Sequence, residues 1–256
     1  MYSKIISIEE IFDWYLKTLD IKLDRKPIQR YIKNGNQDVD KDKIAFDDLI
    51  KYILKSIELS DDGKVHFGNV LENFIEVYKC FTLYMEVHNT SQKQLNFLLA
   101  KDMIIPFFAL FSSYVFDKHL IILEQIKPDK NKKSFQKFLD WAGRNICQQN
   151  IKHYLINKYT EEYYKGDNTN NITDIGRSIT NWFSLENQTT PKNEHFNRLV
   201  KYLNDCNKAP HLNLYNLALF AKLFQEIHKK LEDLFDENQI ELLIEHYYLL
   251  LKFYQF

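Results

Sequence analysis

The sequence predicts an all-α protein, an irregular multi-helix bundle of about nine or ten helices counted from their apolar periodicity. Three observations carry that prediction. Apolar side chains recur at three- and four-residue steps along most of the 256 residues. Six glycines and five prolines are too few to supply the turns of an all-β plan. Hydrophobic residues at 45% and charged residues at 27% are the balance of a folded chain with ample core, which sets aside disorder and collagen-like repetition. No sequence period recurs, so the bundle is irregular and not a helical repeat array.

The elements follow in order. Ser7 and Glu10 form an S-x-x-E capping box ahead of IFDWYLKTL. A short element over Pro27–Lys33 is closed by Asn34-Gly35, and a polar stretch over Asn34–Lys43 leads to AFDDLIKYILKSIEL. Phe67, Val70, Leu71, Phe74, Tyr78, Phe81 and Met85 then mark one face of an amphipathic helix. Thr90 or Ser91 caps the next helix, which runs through the apolar stretch Met103–Phe116 toward Gln125, with a start or kink at Pro106.

The polar run Lys127–Lys133 breaks the pattern and predicts two packed helical subdomains, 1–126 and 134–256, unless the chain is one continuous domain. Ser134 is positioned to cap a helix whose stripe reads Phe135, Phe138, Leu139, Ala142, Ile146, Ile151, Tyr154 and Leu155. After the polar loop Gly166–Asn171, two shorter helices are expected near Thr173–Ser184 and Pro191–Asn204, the second with Thr190 as N-cap and Pro191 in its first position. Phe220, Leu223, Phe224, Ile227, Leu231 and Leu234 make another stripe, and Asp236 caps the final helix. That last helix is apolar nearly all round. It requires central burial, a partner, or further chain beyond Phe256. Tyr247, Leu249 and Phe253 are the candidate interface residues for a protein partner or for self-association.

Composition narrows the function classes. Cys80, Cys147 and Cys206 are odd in number and far apart in sequence, which argues against a disulfide framework and fits a reducing cytoplasm. Glu9, Glu10 and Asp13 follow Met1 too closely for a signal peptide, and the expected location is cytoplasmic. Met103–Phe116 is 14 residues long, short of the roughly 20 that a bilayer span needs. No phosphate-binding glycine loop, nucleophile elbow, H-E-x-x-H or E-x-x-H motif occurs, so no catalytic residue, metal ligand or cofactor is expected. Asn36, Asp38, Asp40 and Asp42 alternate as calcium-loop ligands do, but the loop glycine and the final bidentate Glu are missing; the stretch reads as a solvated loop. Ser134 and Lys137 form an S-x-x-K, but the serine sits where a helix cap belongs. The eight histidines are scattered singly.

The helical HEPN ribonucleases place an Arg, often followed by a polar residue, four to six residues before a His; at Arg144-Asn145 and His153 eight residues intervene, so the motif is not matched and only the overall helical character resembles that class. On one unbroken helix those two side chains lie about 180° apart, at 100° per residue. A helical enzyme of this kind is the alternative function.

Charge provides the positive pointer. Residues 130–210 carry 13 Lys+Arg against 8 Asp+Glu, whereas the segments on either side are each net acidic. A basic middle implies an anionic partner. Within it, Ile179, Trp182 and Pro191, followed by Phe196, Leu199, Val200 and Leu203, resemble the second half of a phage-repressor (Cro-type) helix-turn-helix. The resemblance covers residues 176–203. It implies that Ile179 and Trp182 anchor the core, that Arg177, Ser178 and Asn181 face base edges, and that Lys192 and Arg198 lie near phosphates. Without the resemblance, the same residues read as two packed amphipathic helices. The expected function is therefore a non-catalytic binding, adaptor or regulatory protein that contacts nucleic acid, DNA in particular, through residues 173–203.

Overall fold

The computed structural model describes residues 51, 61, 62, 64–66, 68–70, 72–74, 77, 91–116, 120–129, 132–164, 170–184, 189–208 and 212–254. The elements expected before residue 51, the calcium-like stretch, Cys80 and most of the 45–59 and 67–85 segments lie outside the described residues. Of the 67–85 stripe, Val70 and Phe74 are described, and both are helical. Among the described residues every regular element is helical, so the protein is all-α.

The described residues fall into two compact units, one of residues 1–117 with 226–256 and the other of 118–225. Near the Lys127–Lys133 run, Asp129 N–H donates to Lys132 O at 2.9 Å and Lys132 N–H to Asp129 Oδ1 at 2.8 Å. Lys137 pairs with Asp129 at 2.5 Å, and Lys132 pairs with Asp140.

In the first unit, Ser91 caps α1 (Gln92–Leu99). A π-helical turn, Ala100–Ile104, leads into α2 (Ile105–Phe116). The π turn resolves the problem set by Pro106, whose missing N–H and ring exclude a regular bond to Asp102 O. Ile105 N–H instead reaches back five residues to Ala100 O. The helix α9 (Glu237–Phe253) packs on α2 through Tyr247, whose ring centroid lies 5.5 Å from that of Phe108. Asp236 caps α9 as expected, accepting from Gln239 N–H at 3.1 Å.

In the second unit, α3 (Leu120–Gln125) is followed by α4 (Ser134–Ala142). Ser134 is not the cap of α4. It is the first helical residue, buried, with a hydroxyl that has no hydrogen-bond partner. The first turn is capped from a distance by buried Gln225, whose Oε1 accepts from Phe135 N–H at 3.2 Å.

The stripe that reads as one helix from Ser134 to Leu155 is broken. A π turn, Gly143–Cys147, ends at Gln148 in the left-handed region (φ 53°, ψ 36°), and α5 (Ile151–Tyr164) begins three residues later. Gln148 and Gln149 both donate their N–H to Gly143 O. The turn is tight because Gly143 lacks a side chain: a Cβ there would sit 2.9 Å from Ile151 Cβ.

Two further helices, α6 (Asn170–Trp182) and α7 (Asn193–Cys206), both pack on α5. The α7 start departs from expectation. Lys192, not Thr190, is the N-cap residue, and Pro191 is buried just outside the helix.

Among the described residues, the helix α8 (Leu214–Glu232) is buried nearly all round. Its polar residues Asn216, Lys222, Gln225 and His228 are buried alongside its apolar ones. The final helix, expected to need cover on every side, buries one face only: Ile240, Leu243, Tyr247, Tyr248 and Leu251 are buried, while Leu242, Leu249 and Phe253 are exposed.

Candidate nucleic-acid interface

On α6, Ile175, Ile179 and Trp182 fall at steps of four and three and are buried. Arg177 and Thr180 are exposed on the outer face, and Ser178 and Asn181 are half-buried. An ideal Cβ on Gly176 would meet nothing within 4 Å, so the backbone there is open to close approach. Lys192 is exposed at the start of α7. Arg198 pairs with Glu194 one turn earlier at 2.6 Å, which offsets its charge. Phe196, Leu199, Val200 and Leu203 are buried. These burials fit the helix-turn-helix resemblance and fit two ordinary packed helices equally well.

Tyr159 of α5 joins the two helices. Its ring stands edge-on to Trp182 of α6 at 6.4 Å and to Tyr202 of α7 at 5.1 Å, and its hydroxyl donates to His195 O at 2.8 Å. The His195 ring lies 5.8 Å from Tyr159 and 6.4 Å from Trp182, with Nδ1 buried and unpartnered. Burial lowers the His195 pKa; Glu194 opposes the shift, while Arg198 and Lys192 add to it. The imidazole is a member of an aromatic cluster that joins α5, α6 and α7.

A second feature lies where the π turn meets α5. A cleft of about 530 Å³ is lined by Lys132, Asp140, Gly143, Arg144, Gln149, Asn150, Ile151, Lys152, His153 and Phe183. Arg144 and His153, which an unbroken helix would place on opposite sides, line the same cleft because the chain reverses at Gln148. The Arg144 Nε donates to Asp140 O at 3.3 Å, and Asn150 Oδ1 accepts from His153 N–H at 3.2 Å. Lys152 and Phe183 were not singled out by sequence. The clustering of cations between residues 130 and 152 was the available signal.

The same reversal brings together two cysteines that are distant in sequence. Cys147 lies near Cys206 at the end of α7, and burial, reinforced by Cys206, pushes its pKa up to about 12. Neither cysteine is in a disulfide. Tyr154, whose hydroxyl donates to Tyr202 O at 3.1 Å, has its pKa raised by burial and by contact with Cys206.

The expected interface residues separate into two groups. Tyr247 is fully buried in the core against Phe108 and Tyr248, because its position on α9 faces α2; it does not belong to a surface. Leu249 and Phe253 are 65% and 70% exposed. Among the described residues, no group of three or more His, Cys, Asp or Glu is placed to hold a metal ion, and no helix is long and apolar enough to cross a membrane.

Comparison of the chain with known protein families, with characterised proteins and with solved structures finds no match.

Proposed function

We propose that this chain is a non-catalytic binding protein that contacts nucleic acid, duplex DNA in the first instance, through the outer face of α6 and the start of α7. The observation that carries this reading is the exposed Arg177, beside Ser178 and Asn181, on a helix whose opposite face is anchored by Ile179 and Trp182. Arginine and short polar side chains on a rigid exposed helix reach base edges, and exposed Lys192 neutralises a phosphate. Arg198 contributes less, since Glu194 already compensates it.

Self-association through the exposed face of α9 accompanies this role. Leu242, Leu249 and Phe253 form its apolar seam.

A second reading is RNA cleavage in the cleft beside α5, favoured by the presence of Arg144 and His153 in one cavity. There the imidazole serves as general acid or base and the guanidinium stabilises charge on the phosphate.

Filter binding of duplex DNA at about 50 and about 200 mM salt tests the first reading, with affinity falling steeply between them. The double variant Arg177→Ala with Lys192→Ala weakens binding with unchanged circular dichroism; salt-insensitive or absent binding by the natural chain refutes it. For self-association, sedimentation equilibrium is expected to give a dimer that Phe253→Glu dissociates, and a monomer at all concentrations rules the seam out. For cleavage, an RNA oligonucleotide is expected to be cut by the natural chain and left whole by His153→Ala. Equal rates for the two remove His153 from the chemistry.

A further inference from the structure

The cleft between the π turn and α5, the same one the cleavage reading uses, has lining residues beyond Arg144 and His153. Three cations line it, Lys132, Arg144 and Lys152, against one carboxylate, Asp140. Lys132 is paired with that carboxylate. The hydrogen bond from Arg144 to Asp140 O uses only Nε, which leaves the two terminal amino groups for bidentate contact with an oxyanion. Lys152 stands in the first turn of α5, a helix of 14 residues with no acidic residue in that turn. Asn150 occupies the His153 N–H through its side chain and the Tyr154 N–H through its carbonyl, so the Ile151 and Lys152 N–H groups are the donors that remain at this helix start. The net charge, the guanidinium and the helix start all favour an anion with several oxygens.

Phe183 adds a different kind of contact. It follows Trp182 directly at the end of α6, it is half-buried, and it lines the same cleft. An aromatic side chain beside clustered cations is how single-stranded nucleic acid is held: the ring stacks on a base while the cations follow the phosphate. The volume of about 530 Å³ lies within the roughly 300–1,000 Å³ typical of small-ligand sites. Gln149 and Asn150 on the rim supply amide donors and acceptors for a base edge.

We propose that this cleft binds one nucleotide unit, its phosphate held by Arg144 and Lys152 at the start of α5 and its base stacked on Phe183. The unit is either a free nucleoside monophosphate or one residue of a single strand; the chemistry of recognition is the same. Binding here stands apart from the α6 contact, since Arg177 and Lys192 take no part in it.

Titration calorimetry with AMP and with inorganic phosphate, together with fluorescence anisotropy of a labelled single-stranded uridine oligonucleotide, tests the proposal on the full chain. Saturable AMP binding identifies a free nucleotide as ligand, and binding of the strand alone identifies the polymer. In either case the double variant Arg144→Ala with Lys152→Ala is expected to lose at least about tenfold in affinity while its circular dichroism is unchanged. Phe183→Leu, which keeps apolar volume but removes the ring, is expected to weaken nucleotide or strand binding severalfold and leave phosphate binding unaltered. AMP and phosphate binding are read in the absence of duplex DNA, so failure here is distinguishable from failure of the α6 reading. Neither ligand binding to the natural chain, or natural affinity in the double variant, overturns the site. Phosphate and nucleotide responding alike to Phe183→Leu overturns its assignment to nucleotides.

Discussion

The approach of Gly143 to Ile151 is the constraint from which the arrangement of the second unit follows. With hydrogen in place of a side chain at Gly143, the backbone after α4 can close on the first residue of α5. A π turn and one left-handed residue at Gln148 then reverse the chain within a few residues. Three consequences share that origin. Arg144 and His153 reach one cleft, Cys147 meets Cys206, and α5 is free to lie against both α6 and α7.

From α5, Tyr159 transmits the placement to the helices that carry the candidate interface. One ring touches Trp182, His195 and Tyr202, and one hydroxyl reaches the α7 backbone. Aromatic contacts of this edge-on kind are directional as well as apolar. Tyr202 extends the chain of contacts by donating its hydroxyl to the Glu162 carboxylate. The outer face of α6 is therefore presented by a packed cluster and not by a loop. Buried polar groups of α8 perform the same service at long range. Gln225 satisfies the start of α4, and the Lys222 ammonium lies 5.2 Å from the centre of the Phe196 ring.

The helical class and most helix faces were legible in the sequence, because an apolar stripe encodes which side faces inward whatever the neighbours are. The Ser91 and Asp236 caps were legible for a similar reason, being local hydrogen bonds. Long-range choices were not. Nothing in RNICQQN marks Gln148 as left-handed, since the preference for glycine or asparagine there is overridden by the packing of Ile151 on Gly143. Ser134 has the right chemistry for a cap and the wrong position, Gln225 having taken the task from 90 residues away. The polar residues Asn216, Lys222, Gln225 and His228 of α8 are buried, which its apolar stripe alone does not reveal. The final helix reads as apolar nearly all round, with Tyr247, Leu249 and Phe253 as its candidate interface; α9 buries only the face that meets α2 and its neighbours, so Tyr247 is core while Leu249 and Phe253 are exposed. Of the candidate interface, which the helix-turn-helix resemblance supplied, Arg177, Ser178 and Asn181 lie on α6 and Lys192 at the start of α7. The cleft was hidden because it depends on the break.

The break is therefore the point to measure, and Gln148→Gly reads it through the sign of one number. A left-handed residue other than glycine is strained by roughly 1–2 kcal/mol, part of which glycine's greater unfolded freedom takes back. Urea denaturation of the Gln148→Gly variant is expected to show a gain in stability of about 0.5–1 kcal/mol on that balance. Were residues 134–164 one continuous helix, the same substitution would place glycine in a helix interior and lower stability by about 1 kcal/mol. A loss of that size would contradict the reversal at Gln148, and with it the cleft.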